Sequence, residues 1–112
     1  MENIRACIVR SAGEICMMNM TPSKESIEKM LGGEYSTFEL SGKNKAFVIA
    51  TRTNGVAEGK RENAHFVGLF GDVLIMGLDE SNNLAGVGDR FNSQVLMDLI
   101  LSWDLAREEE WK

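Results

Sequence analysis

The chain has 112 residues, enough for one domain with one core. Apolar residues make up 44% and charged residues 26%, which excludes a disordered or low-complexity chain. A net charge of −5 argues against nonspecific nucleic-acid binding, which needs clustered Lys and Arg, and no apolar run approaches the roughly 18 residues of a membrane helix.

The first element is IRACIVR (4–10), alternating and β-rich. Arg5 and Arg10 interrupt its apolar character, so it does not read as a signal peptide, and a cytoplasmic protein is expected. SAGE turns the chain and ICMMNM (15–20) returns as the partner strand. A two-residue turn at Ala12-Gly13 would set Val9 opposite Cys16 and Cys7 opposite Met18. Both thiols would then share one sheet face, diagonal to each other. Two cysteines are too few for a disulfide scaffold or a zinc site, and they read as reduced core residues.

Thr21-Pro22 predicts a helix start, with Thr21 as N-cap and Pro22 in the first turn. SKESIEKML carries Ile27, Met30 and Leu31 on one stripe, and Gly32-Gly33 ends it. EYSTFEL (34–40) reads as a third strand. A turn at 41–44 leads into KAFVIATR (45–52), the most apolar strand so far. Asn54-Gly55 signals another turn. FGDVLIMGLD (70–79) has the continuous apolar character of a strand covered on both faces. Residues 80–91 read as loop.

The last segment, 91–112, is the clearest helix, with Asn92 as N-cap and Val95, Leu96, Leu99, Ile100, Trp103 and Ala106 at 3-and-4 spacing. Met97, Leu101 and Leu105 widen the apolar coverage beyond one face. That makes this helix a candidate oligomer seam. Glu108, Glu109 and Glu110 place negative charge where the helix dipole disfavours it. The order β-β-α-β-β-β-α predicts a single α+β domain over 1–112: a mainly antiparallel sheet of about five strands with helices on one side.

SKESIEKMLGGEY (23–35), the strand and turn from Phe47 to Gly55, Asn63, and GDVLIMG (71–77) together resemble a family of small domains of unknown function in phage and mobile-element proteins. In that family a short helix ends in Gly-Gly before an aromatic-bearing strand, and the unit closes on a G-D-V-x-I-x-G strand. The likeness covers roughly residues 4–91 and leaves out the last helix. Thr53-Asn54-Gly55 stands where the family has an acidic residue before the turn glycine. The resemblance implies a phage or mobile-element gene. By analogy of class it points to accessory proteins that counter host defence, some of them oligomeric sponges for nucleotide immune signals. It brings no catalytic residues with it.

The residues themselves disfavour an enzyme. His65 is the only histidine and sits between Ala64 and Phe66. No phosphate-binding glycine motif, metal loop or cofactor motif is present, and no cofactor or metal is expected. A phosphorylated small ligand is the stronger expectation. Lys60, Arg61, Asn63 and His65 fall within six residues, and Arg61, Asn63 and His65 would share one side if they form a strand. Arg61 and Arg90 would neutralise phosphate, while Asn63 and Asn92 would read polar edges. Phe66, Phe91 or Tyr35 would stack on a base. The plain alternative is a solvated loop with Arg90 paired to Asp89 or Glu80. The expected partners are therefore a nucleotide-derived ligand held between subunits of a homo-oligomer or, as the rival, a host defence protein met by the acidic surface; a third reading is an accessory domain with no antidefence role.

Overall fold

The computed structural model describes residues 3–42 and 45–110. In chain order the elements are β1 (Ile4–Val9), β2 (Ile15–Met20), α1 (Lys24–Leu31), β3 (Tyr35–Gly42), β4 (Lys45–Arg52), β5 (Val73–Leu78), β6 (Leu84–Ala85) and α2 (Ser93–Glu110). The strands form one antiparallel sheet in the order β2-β1-β5-β4-β3, with β6 paired to β5. This is the expected α+β domain, with β6 as a short addition in the segment read as loop. Of the turn expected at 41–44, Ser41 and Gly42 instead extend β3 and pair with β4, while Lys43, Asn44 and the side chains of Glu108, Glu109 and Glu110 lie outside the described residues.

Alternation along the strands divides the core into two layers. Cys7, Val9, Phe47, Ile49, Val73 and Ile75 face one way, under Leu96 and Leu99 of α2. Ala6, Ile8, Val48, Ala50, Leu74 and Met76 face the other, under Ile27 and Leu31 of α1. The helices therefore cover opposite faces, not one side as expected. The apolar run of β5 called for this, since Val73 through Met76 are all fully buried. No helix among the described residues is long and apolar enough to cross a membrane.

Two local expectations are corrected. The β1–β2 turn has three residues, Ser11-Ala12-Gly13: Gly13 N–H donates to Arg10 O (2.9 Å), Arg10 N–H donates to Glu14 O (2.7 Å), and Gly13 has φ 111°. The extra residue moves the register by one, so Cys7 faces Met17 and Cys16 faces Ile8. The thiols fall on opposite sheet faces, Cys7 buried and Cys16 exposed. The second correction concerns α1, whose N-cap is Ser23 rather than Thr21. The Ser23 hydroxyl accepts from Ser26 N–H (3.2 Å), and Pro22 precedes the cap. Gly32 ends the helix in the left-handed region (φ 92°), as expected.

Candidate functional site

Residues 53–72 connect β4 to β5 without helix or strand. Connections of this length inside a small domain are uncommon, and when ordered they usually carry function. This one is ordered by Asn63. The side chain is 1% exposed. Its Nδ2 donates to Val9 O (3.0 Å) and Gly71 O (3.1 Å), while its Oδ1 accepts from His65 N–H (3.0 Å) and Phe66 N–H (3.1 Å). Both donors and both lone pairs are used. Asn63 thus ties β1, the connection and the approach to β5 into one knot. Reading a ligand edge is not open to it.

His65 completes the knot. Its backbone leaves no strand in which Arg61, Asn63 and His65 could share a side. Its Nε2 lies 3.2 Å from Gly13 O, and the neighbouring Ala64 N–H donates to Ser11 O (3.0 Å). The connection therefore clamps the β1–β2 turn. Phe66 is fully buried in the layer under α2, and Tyr35 packs in the layer under α1. The three ring residues expected to stack on a base include none that stands free: Phe91 packs on Phe47, with ring centroids 5.9 Å apart.

Arg61 is exposed and lines a cleft of about 230 Å³ together with Ser11, Leu31, Arg52, Lys60, Gly71 and Asp72. Three cations meet one carboxylate there. That carboxylate is already engaged: Asp72 accepts from Arg10 Nη1 (2.9 Å) and from Ser11 N–H (2.9 Å). Arg52 forms the inner wall. Its side chain is 8% exposed, it is ion-paired to Glu58 and donates to Glu34 O, and its Nε is buried without a hydrogen-bond partner among the described residues. Gly33 makes room for it. A Cβ at Gly33 would lie 2.6 Å from Arg52 Nη1, and φ there is 145°. The second glycine of the Gly-Gly pair thus suits a backbone that L side chains rarely adopt and leaves room for the Arg52 guanidinium.

Arg90 and Asn92 stand elsewhere. Arg90 is exposed. The Asn92 Oδ1 accepts from Val95 N–H (3.0 Å), the expected N-cap. Their neighbour Phe91 packs on Phe47, five residues before Arg52 on β4, which is about 17 Å along the strand. One chain does not bring Arg61 and Arg90 to a common site. Sequence reasoning named Arg61 and did not name Arg52, which lines the same cleft. The period-2 alternation of β4 was the available signal, since it places Arg52 in line with Val48 and Ala50 on the α1 face.

A second cleft, about 400 Å³, opens at the same end of the sheet, lined by Ser36, Phe38, Thr51, Arg52 and Thr53 and by residues 54–57 and 68–70. Among the described residues no three histidine, cysteine or acidic side chains are grouped so as to hold a metal ion. Comparison with protein-family models, curated proteins and solved structures finds no match to this chain.

Proposed function

We propose that this protein is a non-enzymatic binder that sequesters a phosphorylated, nucleotide-derived ligand. Together with the phage and mobile-element resemblance, this reading casts it as an accessory protein that removes a nucleotide immune signal in the cytoplasm of a host cell. The observation that carries it is the convergence of Arg52, Lys60 and Arg61 on one cleft in a protein of net charge −5. Local positive charge against an acidic background has to be built, and the fold builds it around a buried guanidinium. Arginine offers phosphate a planar fork of donors, and lysine adds a point charge. Arg61 keeps the phosphate role given to it by the sequence. Arg90 contributes only if a second subunit presents it.

The test is thermal unfolding with a panel of cyclic dinucleotides, cyclic trinucleotides and cyclic ADP-ribose isomers, followed by native mass spectrometry of any complex. A ligand bound only by the folded state stabilises by RT ln(1 + [L]/Kd), about 2.7 kcal/mol at a hundredfold excess over Kd. The Lys60→Ala, Arg61→Ala double variant should lose that gain while keeping its own unfolding temperature, because both residues are exposed. A panel without effect on the wild type overturns the proposal.

A second reading has its own observation. Met97, Leu101 and Leu105 are 58%, 57% and 62% exposed at successive i, i+4 positions of α2. We propose this ridge as a protein contact, a second copy of the chain being the first choice and a host defence protein the alternative.

A further inference from the structure

We propose that the 400 Å³ cleft beside Arg52 takes the ring of the ligand, an uncharged planar heterocycle of the nucleobase class. This assignment builds on the phosphate reading above and adds the recognition element that the phosphate cleft lacks. Size separates the two clefts. The larger falls within the range of small-ligand pockets, about 300–1,000 Å³, and the cationic one falls below it, large enough for a phosphate group.

Chemistry separates them further. Thr51 lines the larger cleft, is 3% exposed, and its Oγ1 has no hydrogen-bond partner among the described residues. Buried hydroxyls are normally paired, so one left unpaired just behind a cleft wall is a candidate partner for a ligand group. The strand does not require it, because a valine would fill the same β-branched space. Beside it the Ser36 and Thr53 hydroxyls bond each other at 2.9 Å. That pair uses one donor and one acceptor, so one O–H and further lone pairs stay available. Hydroxyls that can both give and accept suit the mixed donor and acceptor edge of a base.

Aromatic surface completes the cleft. Phe38 is 39% exposed and is held edge-on to Trp103 at 5.2 Å, and Phe70 is half-buried on the facing segment. Exposed aromatic rings favour planar ligands through stacking. Arg52 is common to both walls. A ligand with a ring on one side of this residue and phosphate on the other engages both clefts at once.

Isothermal titration of the full chain with ribose 5-phosphate, the four common nucleosides and their 5′-monophosphates tests the assignment. At least one monophosphate should bind about tenfold tighter than ribose 5-phosphate. Thr51→Val should remove about fivefold of that advantage, the worth of one hydrogen bond, and leave ribose 5-phosphate binding unchanged. Ser36→Ala should act in the same direction and serves if Thr51→Val folds poorly. Equal binding of ribose 5-phosphate and all monophosphates overturns the ring cleft and leaves the phosphate reading standing. If ribose 5-phosphate fails to bind, the phosphate reading falls. The nucleosides then decide the ring cleft alone: binding that weakens in Thr51→Val supports it, and no binding overturns it.

Discussion

Asn63 was expected to touch a ligand and instead holds the protein together. Its amide replaces, in one residue, the hydrogen bonds that a regular element would have supplied to a long connection. Asn63→Ala would leave buried backbone groups of Val9, Gly71, His65 and Phe66 without partners. We expect a loss of about 3 kcal/mol, seen as a lower urea midpoint with an unchanged slope. Asn63→Asp should also destabilise, because a carboxylate cannot donate to the Val9 and Gly71 carbonyls. A variant as stable as wild type would contradict the knot. Arg52 shows the converse. Its place in the β4 alternation marks only a side chain on the α1 face, yet it is held by an ion pair to Glu58 and lines both clefts.

At the scale of elements, the β1–β2 hairpin decides the chemistry of the two cysteines. Register, not residue type, makes Cys7 a core group and Cys16 a surface group. Burial, with Cys16 as the lesser cause, pushes the Cys7 thiol from 9.0 up to about 11. One thiol per chain should therefore react with a maleimide in the native state, and two in denaturant. Two fast thiols without denaturant would argue for another register. The raised value also sets a pH dependence. Below pH 9 the thiol is neutral in both folded and unfolded chains, so its contribution is fully present. Between pH 9 and 11 the unfolded chain ionises first, and stability on the order of 2 kcal/mol is lost. A Cys7→Ala variant should lack that alkaline decline, read from unfolding temperatures at pH 8 and pH 10.5.

At the scale of the whole molecule, the sheet is covered by helices on both faces, and α2 still leaves a row of large apolar side chains outside. If that row is a seam between copies, light scattering should give about twice the 12.4 kDa chain mass. Leu101→Glu with Leu105→Glu should return the protein to single chains that stay folded, since neither residue is in the core, with an unfolding temperature that no longer rises with protein concentration. A wild-type monomer would free the ridge for another protein and remove any role for Arg90 in the proposed phosphate site.

Much of this protein was legible in local pattern. Two-residue alternation marked the strands, 3-and-4 spacing marked α2, Asn92 marked its start and Gly32 marked the end of α1. These features depend on neighbours a few residues apart, and backbone geometry reads them directly. The candidate site was legible only in part. Arg61 stood out as a charge in a turn-rich stretch, while Asn63 and His65 looked the same in sequence and proved to be internal fasteners. Whether a polar side chain meets solvent or a distant carbonyl depends on contacts between residues as far apart as Val9 and Asn63. Sequence by itself determined the order of the two helices and the five longer strands, the apolar residues of each, and the acidic balance. Only the tertiary structure decided the hairpin register, the face each helix covers and the meeting of Arg52, Lys60 and Arg61, because each of these follows from how separate segments pack and none from the preferences of any one of them.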